Sequence, residues 1–113
     1  MVKKRIIVVV CVITFGLTSY GQVQIGNDID GEMAGDGAGF GTSLSSDGSI
    51  VAVGANFNAG GGAASGHVRV FENINGNWLQ IGSDIDGDPG DQSGQSVCLS
   101  ADGTILAVGE PID

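Results

Sequence analysis

"GFGTSLSSDGSIVAVGAN", residues 39–56, is answered further along the chain by "GQSVCLSADGTILAVGEP", residues 94–111. The two share Gly39, Leu44, Ser45, Asp47, Gly48, Ile50, Ala52, Val53 and Gly54 with their counterparts. A second pair precedes them: "IGNDIDGEMAGD" at 25–36 and "IGSDIDGDPGD" at 81–91, one residue shorter near Pro89. The chain therefore repeats with a period of 55–56 residues, repeat one covering about 25–80 and a partial repeat two about 81–113. Periods of roughly 20–50 residues, or slightly more, mark solenoids, propellers and arrays.

Inside one period, short strand-like runs alternate with strong turn signals. Residues 40–45 read as a strand, closed by the tight turn Ser46-Asp47-Gly48. The apolar run 50–55 suits a strand buried on both faces. "NFNAGGGAASG" then leads to "HVRVFEN", Asn75-Gly76 supplies a second hairpin turn, and "WLQIGSDI" is the fourth strand. An outer strand is expected at 23–29. No segment after residue 21 has helical periodicity. The reading is all-β, built as up-and-down four-stranded blades of a β-propeller, with about one and a half blades present in 22–113. Propellers close with roughly 4–8 blades, so the reading expects the N-terminal piece of a longer protein, or a truncated product. Either would leave sheet edges and apolar faces that invite further blades or self-association.

The first stretch differs in kind. "MVKKRIIVVVCVITFGLTSYGQ" has Lys3, Lys4 and Arg5, then an apolar run from Ile6, then small residues around Tyr20. That is the order of a secretory signal peptide, here a helix over residues 1–21 cleaved between Gly21 and Gln22. The apolar core is shorter than the ~20 residues of a spanning helix, and Cys11 lacks the small residues that precede a lipid-attachment cysteine. Of the four Lys and Arg residues only Arg69 follows residue 21, against thirteen Asp and Glu. So acidic a chain disfavours nucleic acid and, after cleavage, an anionic membrane surface. Cys98 is then the single cysteine left; it takes the place of Ser43 in the other copy and reads as a small core residue.

With "FG" at Phe40-Gly41, "GAN" at 54–56 and "GHVRVF" at 66–71, the repeat resembles the FG-GAP family, the repeats of the integrin alpha-chain propeller and of many secreted bacterial surface proteins. The second copy keeps "GEP" at 109–111 but has Gln95-Ser96 in place of Phe-Gly. The resemblance covers residues 23–113 and implies a propeller, often with a calcium loop of the type D-x-D-x-D-G-x-x-D between the first two strands. Here that place holds only "SLSSDGSI". Asp47 and Asp102 survive before their glycines, while the earlier ligands and the closing aspartate are missing.

The repeated "DIDG" raises the same question elsewhere. Calcium takes six to eight oxygens from alternating acidic positions around a glycine bend. Asp28, Asp30 and Gly31 fit the middle of such a loop, but Gly26 and Gly37 stand where the first and twelfth ligands belong, and Gly82 and Ser93 fail likewise. Asp-Gly pairs make turns, because the carboxylate caps the bend and glycine takes positive φ. Recurrence once per period is what a turn between successive sheets requires, so the reading is a turn, with calcium disfavoured and no metal, cofactor or catalytic residue assigned. Meander topology places "NFNAGGGAASG" and "DIDGEMAGDG" on one face, lined by Asp28, Asp30, Glu32 and Asp36, and again by Asp84, Asp86, Asp88 and Asp91. Such a face suits a cationic protein surface, or divalent ions held weakly between it and a ligand; equally, acidic loops keep an extracellular protein soluble. His67 is the single histidine, on the same strand face as Arg69 by alternation, and reads as a satisfied strand-end residue. There is no Gly-x-Ser-x-Gly elbow and no second His or Cys at metal-ligand spacing. Trp78 could stack on a sugar, but a tryptophan opening a strand is more often packed between sheets.

The sequence thus points to a secreted or cell-surface repeat module that binds an extracellular protein or glycan without catalysis. The alternatives are a structural propeller segment of a larger secreted enzyme, or a truncated product without function. Mass spectrometry of exported protein is expected to find Gln22 at the amino terminus; an exported chain that retains Met1 contradicts the cleaved signal.

Overall fold

The computed structural model describes residues 8–12 and 16–111, and every regular element among them is a β-strand. β1 (Val8–Val12) and β2 (Gly16–Tyr20) pair antiparallel. The expected signal-peptide helix spans 1–21, and residues 1–7 and 13–15 of it lie outside the described residues.

The first repeat forms one antiparallel meander. β3 (Ala38–Leu44), β4 (Ile50–Ala55), β5 (His67–Ile74) and β6 (Asn77–Asp86) lie side by side in chain order. Asn75 and Gly76 take φ of 52° and 86°, the paired left-handed geometry that suits a two-residue hairpin. The second repeat supplies β7 (Ser96–Leu99) and β8 (Leu106–Gly109). Its hairpin copies the first in register: Gly41 faces Gly54 and Leu44 faces Val51, as Ser96 faces Gly109 and Leu99 faces Leu106. The sequence repeat is a structural repeat.

β4 is covered on both faces, as its unbroken apolar run requires. Val51 and Val53 join Phe71, Trp78 and Ile29 in one cluster. On the opposite face Ile50 and Ala52 join Val68 and Val70 against Leu99, Val97, Leu106 and Val108 of the second hairpin. Each fully buried side chain of this size contributes roughly 1.5–3 kcal/mol. Trp78 is packed as the sequence suggests, and its indole N–H donates to the Ile25 carbonyl at 2.8 Å.

The two sheets meet through glycine. A Cβ on Gly54 would run into the carbonyl of Gly94, and one on Gly41 would stand 2.6 Å from the same oxygen. At Gly66, the Cβ site is occupied by the backbone of Ser93. Gly66 and Ser93 form a parallel bridge there, and the Ser93 N–H donates to the Ser65 carbonyl at 2.9 Å. The Leu99 N–H donates to Ser43 Oγ at 2.9 Å and the Ser46 N–H to the Ala101 carbonyl at 2.8 Å. Backbone therefore packs directly on backbone, and the amides of Ser93, Leu99 and Ser46 find their acceptors across the seam.

Two expectations are corrected. Residues 23–29 form no strand. Their counterparts in the second repeat pair with β5 as part of β6, but the strands that precede β3, β1 and β2, pair only with each other and do not receive the first copy. They run instead, continuing without a strand through residue 36, as a strap on the first sheet, with Ile29 5% exposed beneath it. Cys98 is exposed, not in the core, because Val97 and Leu99 are the residues of β7 that turn towards β4. Leu79, Ile81 and Ile85 of β6 are exposed as well.

Gly54→Ala inserts a methyl group into this seam without straining the local backbone, and overpacking of this kind costs typically about 1–3 kcal/mol. The expected outcome is a lower urea midpoint followed by Trp78 fluorescence, with the exposed Ala101→Ser variant unchanged. Equal midpoints for Gly54→Ala and the parent would show that the sheets do not meet at Gly94.

Candidate functional site

The meander sends its loops to two ends. The β3–β4 and β5–β6 hairpins lie at one end, and the strap, the 56–66 loop and the β6–β7 connection converge at the other. The convergence is bonded: the Phe57 N–H donates to the Asp36 carbonyl at 2.9 Å, Gly87 to Gly66 at 3.0 Å, Gly90 to Ala63 at 3.0 Å and Gln92 to Ala64 at 3.0 Å. The expected shared face of "NFNAGGGAASG" and "DIDGEMAGDG" exists.

Most acidic residues singled out from the sequence have structural tasks. Asp36 is buried, and its Oδ2 accepts from the Met33 N–H at 3.0 Å and from Asn58 Nδ2 at 2.9 Å. Asp91 repeats the cap on the Asp88 N–H at 3.2 Å. Asp28 accepts from Gln24 Nε2 at 2.8 Å, and Asp84 from Gln80 Nε2 at 2.6 Å. Asp30 and Asp88 are exposed.

At the opposite end, Asp47 and Asp102 stand where the FG-GAP resemblance puts calcium. Their carboxylates accept from the chain itself. Asp47 Oδ1 takes the Ser49 hydroxyl at 2.7 Å, the Ser49 N–H at 2.9 Å and the Ser45 hydroxyl at 2.9 Å. Asp102 is held the same way by Thr104 and Ser100. The Ser49 hydroxyl first, then the Ser49 N–H and the Ser45 hydroxyl, hold Asp47 at about 2 against an ordinary 3.8. Asp102 is lowered by the matching groups, the Thr104 hydroxyl foremost. Both are turn carboxylates.

One cluster was not anticipated. His67 opens β5, is 2% exposed, and its Nδ1 is buried without a hydrogen-bond partner. Three carboxylates face that nitrogen: Glu32 Oε1 at 3.5 Å, Asp84 Oδ2 at 3.7 Å and Asp86 Oδ1 at 3.8 Å. Ligand atoms of Glu32, His67 and Asp84 all lie within 4.8 Å of one another. Arg69, on the same strand face as expected, reaches Asp84 Oδ1 at 3.5 Å and donates from Nε and a terminal nitrogen to Gln80 Oε1 at 3.1 and 3.0 Å. Its guanidinium sits 5.1 Å from the Phe71 ring centre. Beside the cluster, Glu32, Met33, Asn58, Ala59 and Gly60 line an open cleft of about 390 Å³. The expected strand-end place of His67 holds, but the expected satisfied side chain is replaced by a buried one whose Nδ1 has no hydrogen-bond partner and faces three acids. The signal for it lay in strand alternation, which puts His67 and Arg69 on one face, but nothing local to "GHVRVF" brings Glu32 there.

No family model matches the chain, and no curated protein or solved structure is significantly similar to it. The site has to be read from its own chemistry.

The depressed carboxylates carry a sign. Asp47 favours the folded state above its ordinary value near 4, and that contribution is lost as pH falls towards 2. In a carboxyl-detected NMR titration, Ser49→Ala is expected to return the Asp47 midpoint towards 3.8. An unchanged midpoint near 2 would remove Ser49 as the cause.

Proposed function

We propose that this chain is a non-catalytic binding module of the β-propeller type, secreted or displayed at the cell surface, which engages a cationic protein surface or a glycan through its acidic loop end. The observation that carries the reading is the bonded convergence of three loops, two of them acidic, at one end of a stacked pair of sheets. Loops on a rigid scaffold are where binding resides, and exposed Asp30 and Asp88 flank this end with no cation beside them among the described residues.

The stacked, register-matched repeats support a multi-sheet architecture. In the first repeat, Ile29 of the strap is covered by Phe71 and Trp78. The matching Ile85 is exposed, since the second repeat contributes β7 and β8 but, as far as residue 111, no counterparts of β5 and β6. Further strands of the same kind complete that layer in this reading, whether from a longer chain or from association.

The test uses the full chain immobilised against a lysine-rich probe peptide and a panel of neutral and anionic glycans. Binding to the cationic probe should weaken as salt rises past about 0.15 M, where the screening length is ~8 Å. Asp30→Asn with Asp88→Asn should lower affinity several-fold and flatten the salt dependence. Salt-insensitive binding, or the same affinity in the double variant, would remove the acidic loop end as the binding surface.

A further inference from the structure

We propose that Glu32, His67 and Asp84, with Asp86 beside them, form a binding site for one divalent cation of the zinc type, which clasps the strap to the first sheet. This goes beyond the binding-module reading and does not rest on it. Two independent features meet here. One is the convergence of three carboxylates from two segments, Glu32 from the strap and Asp84 and Asp86 from β6. The other is an imidazole almost wholly removed from solvent whose Nδ1 faces them with nothing to bond.

The distances fit a bound ion. No carboxylate oxygen lies within the roughly 3.2 Å of a hydrogen bond to Nδ1, the nearest being 3.5 Å away. A metal bound at roughly 2.0–2.2 Å to nitrogen and oxygen in tetrahedral geometry holds its ligand atoms about 3.3–3.6 Å apart. From Nδ1 the oxygens of Glu32, Asp84 and Asp86 stand 3.5, 3.7 and 3.8 Å away, near that spacing, and the Glu32 and Asp84 ligand atoms lie within 4.8 Å of each other. The donor set points the same way. Imidazole suits zinc, copper, iron and nickel, whereas calcium and magnesium prefer all-oxygen shells.

The surrounding groups already orient the ligands, as outer-shell partners do in metal sites. Asn58 Nδ2 donates to Glu32 Oε1 at 3.1 Å and to Asp36 at 2.9 Å, which anchors the strap carboxylate. Gln80 and Arg69 both engage Asp84 Oδ1, and the other oxygen, Oδ2, is the one that faces His67. Arg69 offers one positive charge against three carboxylates, so the cluster has room for a divalent ion. Glu32 and Asp84 are 45% and 31% exposed, which gives the ion a way in from solvent.

Titration calorimetry of the full chain with zinc chloride tests this, with calcium and magnesium chloride as comparisons and a Co²⁺ absorption spectrum as a geometric readout. The expected result is one zinc per chain with Kd of about 10 µM or tighter, a higher urea midpoint with zinc present, and much weaker calcium binding. Glu32→Gln, on the exposed strap, should weaken zinc by about tenfold or more while the metal-free midpoint holds. His67→Gln should abolish binding; should that buried substitution unfold the chain, Glu32→Gln and the cobalt spectrum decide alone. Cys98→Ser should bind zinc as the parent does. The site is overturned by absence of zinc uptake up to about 1 mM, by full affinity in Glu32→Gln, by loss of binding in Cys98→Ser, or by calcium binding tighter than zinc.

Discussion

The rest of the molecule depends on an approach of backbone to backbone that only a missing side chain permits. Gly41 and Gly54 of the first sheet present no Cβ to Gly94, and Gly66 presents none to Ser93. Because the strands can come this close, the Ala52–Val68 face packs on Leu99 and its neighbours, and the amides of Ser93, Leu99 and Ser46 find acceptors across the gap. Apolar area alone would bring two sheets together at the usual ~10 Å. The glycines convert that layering into a bonded seam with a single register.

That register also explains why one half of the chemistry is repeated and the other half is not. The Ser-x-Asp-Gly turn needs nothing beyond its own few residues, so the second copy rebuilds it bond for bond around Asp102. The His67 cluster draws on residues from both copies of "DIDG": Glu32 follows the first and Asp84 and Asp86 belong to the second. One stretch of sequence, repeated, is placed on either side of the same strand end, and the repeat becomes a convergence.

How much of this was legible follows the same division. The four strands of the first repeat, the burial of β4 on both faces, the Asn75-Gly76 hairpin and the sharing of one end by the acidic loops all follow from period-2 patterning, turn chemistry and the alignment of the copies. What could not be read depends on neighbours that sequence does not display. Residues 23–29 have the pattern of a strand, but a strand exists only where another offers hydrogen bonds, so they lie as a strap fixed by Ile29 and by the indole of Trp78. Cys98 matches Ser43 in the alignment, yet burial at that position is set by whatever covers the outer face of β7. His67 looks unremarkable inside "GHVRVF"; its unpaired nitrogen matters only because the strap, a bulge in β6 and the buried Asn58 set three acids around it.

The strap gives the stack a direction. On its side Ile29 sits over Val51, Val53, Phe71 and Trp78, while on the other the exposed side chains of Leu79, Ile81 and Ile85 continue past the edge of the second hairpin. The two faces of the first sheet are therefore covered by different means, one in part by an irregular segment of its own repeat and the other in part by the hairpin of the next.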